Sequence, residues 1–357
     1  MIQPKKGDRI NNYLLDELVG SGSFGQVWRA THHVLDQVVA IKMLTDPQYV
    51  RNFRQEGVVV HGIRHPNIVR VMDIDPYGDP PYMVMEYVDG PALRKVIDDH
   101  REGMPLELCI TVMRGVLCGL QVAHERGLVH RDVKPANILI RMPDSGLSGV
   151  TAEHVKLTDF GLGKTTHVTA VSLMQSGSLL TQDGNSIAGT INYMSPEQRA
   201  GEDVDGRSDL YSAAVVLFEM LTGSRPAGSD MPSTIRDQVP EYLDDVFRKS
   251  YTRLERRFAS AADMLGALDR GGSGRSRVAA RGASRRSAPV PAARVIGQAK
   301  AVCPKCGGAI DDDDNFCIHC GAQIASAIVQ CSRCQAYAGR GDRFCIFCGE
   351  QLTGQTV

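Results

Sequence analysis

His130-Arg131-Asp132-Val133-Lys134-Pro135-Ala136-Asn137-Ile138-Leu139 sets an acid, a lysine and an amide at fixed offsets between two apolar runs. Residues 117–129 precede it and residues 138–140 follow it, which predicts a polar loop held by buried flanks. A carboxylate can take a proton from a hydroxyl, an ammonium can neutralise a phosphate oxygen, and an amide oxygen can ligate a hard cation. Phosphoryl transfer needs these parts, and the neighbouring stretches show which others accompany them.

Twenty-seven residues past Asp132 comes Asp159-Phe160-Gly161, after the strand-like run Val155-Lys156-Leu157-Thr158. A carboxylate at a strand end suits Mg²⁺, which takes few protein ligands and leaves positions for phosphate oxygens. Upstream, Gly20-Ser21-Gly22-Ser23-Phe24-Gly25-Gln26-Val27 lies between two β-rich runs. Glycines at these offsets let backbone N–H groups approach a phosphate, and the same run also reads as a plain hairpin. A dinucleotide fold would need a helix next, and the β-branched and polar run that follows argues against one. Val39-Ala40-Ile41-Lys42 ends an apolar strand in a lysine, which by itself fits a solvated cation. Glu56, fourteen residues on, opens a helical period and could meet it. Met83-Val84-Met85-Glu86-Tyr87-Val88-Asp89-Gly90 reads as a strand leaving a sheet.

Taken in order, these motifs resemble eukaryotic-like, Hanks-type serine/threonine protein kinases, over residues 10–268. The resemblance implies an α+β, bilobal protein kinase fold, with a β-rich N-lobe over residues 10–88 and a helical C-lobe over 89–268. It implies that Asp132 orients and deprotonates a substrate hydroxyl, that Lys134 stabilises the transferring phosphoryl group, and that Asn137 and Asp159 hold Mg²⁺ or Mn²⁺. ATP would lie against Gly20, Gly22, Gly25, Val27, Ala40, Lys42, Glu86, Val88 and Leu139. Backbone groups of Glu86 and Val88 would meet adenine, with Met85 at the back of the pocket and Glu56 paired with Lys42. The Lys42 to Glu56 interval is short for the family. Lysine two residues after Asp132, together with Gly189-Thr190-Ile191-Asn192-Tyr193-Met194-Ser195-Pro196-Glu197, marks the serine/threonine branch, with Ser195 where alanine is commoner. Glu197 would pair with Arg257, and Asp209 would brace the backbone of the catalytic loop. Arg131 before Asp132 marks the subclass whose activation loop is ordered by a phosphate, with Thr181, Ser186 and Thr190 as regulatory hydroxyls. The stretch from Arg141 to His154 is a longer insert than usual, with no function assigned. A catalytically dead relative, acting as a scaffold, is the competing reading.

At 357 residues the chain exceeds what one core usually supports, and its net charge of -1 selects no global partner. The polar start Met1-Ile2-Gln3-Pro4-Lys5-Lys6 is unlike an export signal, and no run is apolar and long enough to span a membrane, so a cytoplasmic location is expected. Residues 269–300 read as a flexible basic linker: eight Lys or Arg and no acid fall between 270 and 300.

Eight of the ten cysteines follow residue 302, as Cys303-x-x-Cys306, Cys317-x-x-Cys320, Cys331-x-x-Cys334 and Cys345-x-x-Cys348. Thiolates two residues apart ligate one ion in a tight knuckle, and two knuckles complete a tetrahedral Zn²⁺ site. Asn315-Phe316-Cys317-Ile318-His319-Cys320-Gly321 echoes Arg343-Phe344-Cys345-Ile346-Phe347-Cys348-Gly349, so the repeat is two knuckles and two Zn²⁺ ions are favoured. The segment 301–352 is similar to tandem zinc ribbons, with an iron–sulfur cluster as the other metal reading. The acidic run Asp311-Asp312-Asp313-Asp314 would repel phosphate, which favours a protein partner over nucleic acid for this module.

Overall fold

The structure is a computed structural model that describes residues 4–22, 25–44, 50–160, 191–273, 329–330 and 337–338. The chain divides into two units, residues 1–281 and residues 282–357. The first carries a six-stranded antiparallel sheet followed by helices, as the motifs imply.

The sheet is built from β1 (Arg9–Ile10), β2 (Tyr13–Gly22), β3 (Gly25–His32), β4 (Val38–Leu44), β5 (Val71–Asp75) and β6 (Tyr82–Glu86). Its spatial order is β1-β2-β3-β4-β6-β5. Period-2 alternation splits the sheet residues between two apolar clusters. Val39, Ile41 and Met43 of β4 join Leu15, Trp28, Tyr82 and Val84 on one face. Ala40, Leu44, Met83 and Met85 join Phe53 on the other. That second face looks toward α1 (Val50–His61) and is continuous with the core of the helical part. The pairing of β2 with β3 runs through Gly20↔Val27 to Gly22↔Gly25, so the glycine motif is itself ladder rather than loose loop. Gly25 has φ 152° and a Cβ there would meet the Met43 carbonyl at 1.9 Å, which only glycine tolerates.

The helical part contains α2 (Leu93–Asp98), α3 (Leu106–Glu125), α4 (Pro196–Ala200), α5 (Gly206–Thr222), α6 (Pro232–Ile235), α7 (Glu241–Ser250) and α8 (Ala261–Ser273). A short hairpin of β7 (Ile138–Ile140) and β8 (Val155–Leu157) follows α3. Helix α5 starts on Asp205, whose side chain accepts from the Arg207 N–H, and stops at Gly223 with φ 74°. Every residue from Ser208 to Thr222 is buried, which makes α5 the axis of the helical core. Helix α3 is apolar and long enough to cross a membrane by length alone, but eleven of its residues are buried inside this core. Helix α8 continues to Ser273, past the point where the basic segment was expected to begin. Cys109 of α3 is a core residue: burial pushes its thiol up to about 12, and its Sγ lies 3.5 Å from the Met220 carbonyl.

In the second unit, Val329–Gln330 and Tyr337–Ala338 pair antiparallel, with Tyr337 opposite Gln330. The third cysteine pair, Cys331 and Cys334, lies in the sequence between them.

Candidate active site

The catalytic-loop residues sit between α3 and β7, and Asp209 of α5 organises them. Its carboxylate accepts from the backbone N–H of His130 at 2.8 Å and of Arg131 at 2.7 Å, as expected of a loop brace. His124 Nε2 lies 2.7 Å from the same carboxylate. Arg131 has φ 68°, a left-handed conformation that a branched network must stabilise. Its carbonyl accepts from Gln198 Nε2 at 2.9 Å, so the strained turn is held from both ends.

Past this turn Asp132 is 9% exposed. Its Oδ2 receives Lys134 Nζ at 2.9 Å and Asn137 Nδ2 at 2.9 Å. Asn137 Nδ2 also donates to the Asp132 carbonyl at 2.9 Å. With the amide nitrogen so used, the Asn137 oxygen is the atom left to face a cation. The loop is stitched to the next motif through Thr158, whose N–H donates to the Asn137 carbonyl at 3.0 Å and whose carbonyl lies 3.0 Å from His130 Nε2. Phe160 packs on His130 with ring centroids 4.4 Å apart and planes tilted by 40°.

Asp159 has φ 63° and takes Lys42 Nζ at 2.6 Å on its Oδ1. Burial alone would raise its carboxyl, but the Lys42 ammonium beside it wins and holds it below the usual carboxylate range. An ionised Asp159 and the Asn137 amide oxygen form a hard-oxygen donor set that fits Mg²⁺. Lys42, Asp159, Asp132, Lys134 and Asn137, read separately from the sequence, therefore converge. Register explains the rest of the neighbourhood: Val27 faces Lys42 across the β3–β4 ladder, and Ala40 faces Met85 across β4–β6. Val27 and Leu139 are half-buried against the core, while Ala40, Met85 and Val88 are buried within it. The N–H of Glu86 is spent on the Arg70 carbonyl at 2.9 Å, so an adenine contact by Glu86 falls to its carbonyl.

The Glu197–Arg257 support expected from the sequence meets as expected, and a second support, around Glu219, is not among the sequence expectations. Arg257 grips Glu197 with Nη1 at 2.5 Å and Nη2 at 2.8 Å. Tyr193, in the segment before Glu197, donates to Glu219 of α5 at 2.6 Å, and Arg94 of α2 reaches the other oxygen of Glu219 at 2.8 Å. The insert from Arg141 to His154 closes on itself through Arg141 N–H to the His154 carbonyl at 2.8 Å. The side chain of Glu56, Gly161, Thr181, Ser186, Thr190 and the eight late cysteines lie outside the described residues. Sequence reading missed Gln198 and Asn67, which act on backbone atoms, and His124, which lies against the Asp209 carboxylate. Asn67 Nδ2 donates to the Val155 carbonyl at 2.8 Å. The run His65-Pro66-Asn67, a turn signal after a helix, was the available clue.

Comparison with known proteins agrees with this geometry. The profile of the protein kinase domain matches residues 13–268, and that of the double zinc ribbon matches residues 303–349. A probable serine/threonine-protein kinase of Clostridium perfringens, CPE1738, is 34% identical over 281 residues, covering 73% of this chain and 38% of that protein. Serine/threonine-protein kinase PknB of Mycobacterium tuberculosis is 35% identical over 286 residues, covering 73% of this chain and 43% of its own. The chain thus spans about two-fifths of the length of these curated relatives. Among solved structures, a mutant of the Mycobacterium tuberculosis PknI kinase domain aligns with TM-score 0.58 at 25% identity, over 76% of this chain and all of that one. The chain belongs to the protein kinase domain family and carries a double zinc ribbon sequence after that domain.

Proposed function

We propose that this chain transfers the γ-phosphoryl group of ATP to serine or threonine hydroxyls of protein substrates. The observation that carries the reading is the convergence on one site of Asp132, held at 2.9 Å by both Lys134 and Asn137, and the Lys42–Asp159 pair at 2.6 Å. Asp132 accepts the proton of the attacking hydroxyl, and Lys134, already beside it, offsets the charge on the transferring group. Lys42 anchors phosphate oxygens from the sheet side. Mg²⁺ or Mn²⁺, when bound by Asp159 and Asn137, supplies charge neutralisation of the phosphates. Catalysis is then positioning and electrostatic stabilisation by groups fixed in advance.

The finer parts of the reading rest on sequence. Arg131 is the phosphate-pairing arginine, Thr181 and Ser186 are the hydroxyls whose phosphorylation orders the loop before Thr190, and Glu56 completes the Lys42 pair. Residues 274–300, which follow the end of α8, link the kinase domain to the ribbons. The eight cysteines bind two Zn²⁺ ions, and the ribbons recruit a protein that is either substrate or regulator.

Incubation with labelled ATP and Mg²⁺ tests the central claim, with Asp132→Ala as control. The native chain labels itself or a generic protein substrate, and the variant falls by about three orders of magnitude or more. Equal labelling by both, or none by either, leaves only a nucleotide-binding scaffold.

A further inference from the structure

Glu86 ends β6 at the connection between the sheet and the helical part, and its carboxylate is held by cations other than those of the site described above. Lys156 Nζ lies 3.0 Å from each of its two carboxylate oxygens. Arg141 Nη2 donates to Oε1, and the Arg70 N–H reaches Oε2 at 3.3 Å. Lys156 is 5% exposed, and a buried ammonium costs several kcal/mol unless a counter-charge is fixed beside it. Nothing in phosphoryl transfer uses Lys156, so this buried pair has another reason to exist.

Its place in the fold supplies one. On β8, Lys156 pairs across the hairpin with Leu139, the residue expected against adenine, and lies three residues before Asp159. One residue therefore holds Leu139 through the ladder, Glu86 through its side chain, and the strand that delivers Asp159. The hairpin makes further contacts to the same connection: the Ile140 N–H donates to the Pro91 carbonyl at 2.9 Å and the Met142 N–H to the Asp89 carbonyl at 2.8 Å. The next residue after Glu86, Tyr87, carries the Arg29 guanidinium of β3 over its ring at 5.7 Å. Successive residues of the connection are thus gripped from the hairpin and from the glycine-bearing strand.

We infer that Lys156 and Arg141 are positioning residues for the nucleotide, which act by clasping Glu86 and so fix the sheet-to-helix connection against the β7–β8 hairpin. The inference deepens the kinase reading and rests on it. It also gives the entry of the 141–154 insert a task, because Arg141 is where the insert meets the connection. A clasp that sets the width of the nucleotide slot changes ground-state and transition-state binding alike, so its loss raises KM for ATP with little change in kcat.

The experiment uses the full chain and measures both turnover and direct binding of a fluorescent ATP analogue. Lys156→Met removes the buried ammonium itself and leaves the Glu86 carboxylate, 22% exposed, paired with Arg141, so its melting temperature stays near that of the native chain. It raises KM for ATP and the analogue Kd about five- to tenfold, while kcat moves less than about twofold. Glu86→Gln loses the Lys156 and Arg141 pairs together and gives an equal or larger shift, and the double variant is no weaker than Glu86→Gln alone, because the Lys156 interaction is already lost there. Lys95→Ala, which breaks the exposed Lys95–Asp99 pair of α2, changes neither constant. Unchanged KM and Kd in Lys156→Met, or additive effects in the double variant, overturn the inference. If the native chain transfers no phosphate but binds the analogue, the kinase reading falls while the shift in Kd still decides the clasp. If it binds no analogue, both fall.

Discussion

Glu197 and Arg257 lie sixty residues apart and meet as a bidentate pair with almost no exposure, the guanidinium at 0% and the carboxylate at 5%. Burial would raise the Glu197 carboxyl, but hydrogen bonds from Arg257 and Ser208 hold it down at about 2, against an ordinary 4.5. A carboxyl depressed in the folded state contributes stability that is complete above its unfolded pKa and lost as pH falls toward the folded one. The window is therefore pH 4.5 down to about 2, and the contribution is on the order of 2 kcal/mol after allowing for solvent screening. Glu197→Gln strands the Arg257 charge and lowers stability at neutral pH by about 3 kcal/mol. Denaturant melts across pH should show that difference shrinking below pH 4.5; a constant difference down to pH 2 would sink the assignment. At this scale the chemistry-bearing residues were legible, because acid, lysine and amide at fixed offsets have few other uses. Gln198, His124 and Lys156 were not, since a side chain that satisfies a backbone carbonyl, or pairs with a residue seventy positions away, leaves no local pattern.

Elements were legible where hydrophobic periodicity is strong. The alternation of β3 and β4 and the three- and four-residue spacing of α3, α5 and α7 predict those elements to within a few residues. The expectation included β8, as the strand-like run Val155 to Thr158, but not β5, Val-Met-Asp-Ile-Asp, where two acids dilute the apolar signal, nor β7, which is too short to show a period. Glycine in α3 carries a second kind of information. Gly115 and Gly119 stand one turn apart, and each costs about 1 kcal/mol of helix propensity relative to alanine. They remain because close packing outweighs that cost: a Cβ on Gly119 would lie 2.9 Å from the Asn67 carbonyl and from Leu157 Cδ1, and one on Gly115 would lie 2.6 Å from Val155 Cβ. The pair makes the slot into which the Asn67 turn and β8 settle, and β8 delivers Asp159. Gly119→Ala should destabilise by about 1–3 kcal/mol through overpacking. Gly266→Ala in α8, whose nearest neighbour is the flexible end of Arg270 at 3.3 Å, should be neutral or stabilising by up to about 1 kcal/mol. Urea unfolding of the two variants checks the contrast, and a shift of the same sign in both would contradict the slot.

The two units of the chain differ in what holds them folded. Residues 1–281 enclose a core that runs from Leu44 and Phe53 in the sheet part to Leu268 in α8, so burial of apolar surface alone can stabilise them. Residues 282–357 hold eight cysteines in four C-x-x-C pairs and few large apolar side chains, and a segment of that composition folds on metal. This division was legible at once, because the cysteine spacing of fourteen residues is a strong signal and the double zinc ribbon profile falls on it. The consequence is a selective response to chelation. The native chain should contain two zinc ions by elemental analysis, four thiolates for each. Incubation with a zinc chelator in excess Mg²⁺ should remove both, expose the thiols of the second unit to a thiol reagent, and leave the main thermal transition in place. A chain ended at Arg281 should melt at the same temperature with or without chelator and should keep labelling a generic substrate. Iron instead of zinc would overturn the metal assignment. Loss of the main transition on chelation would show that metal, rather than the apolar core, stabilises the kinase domain.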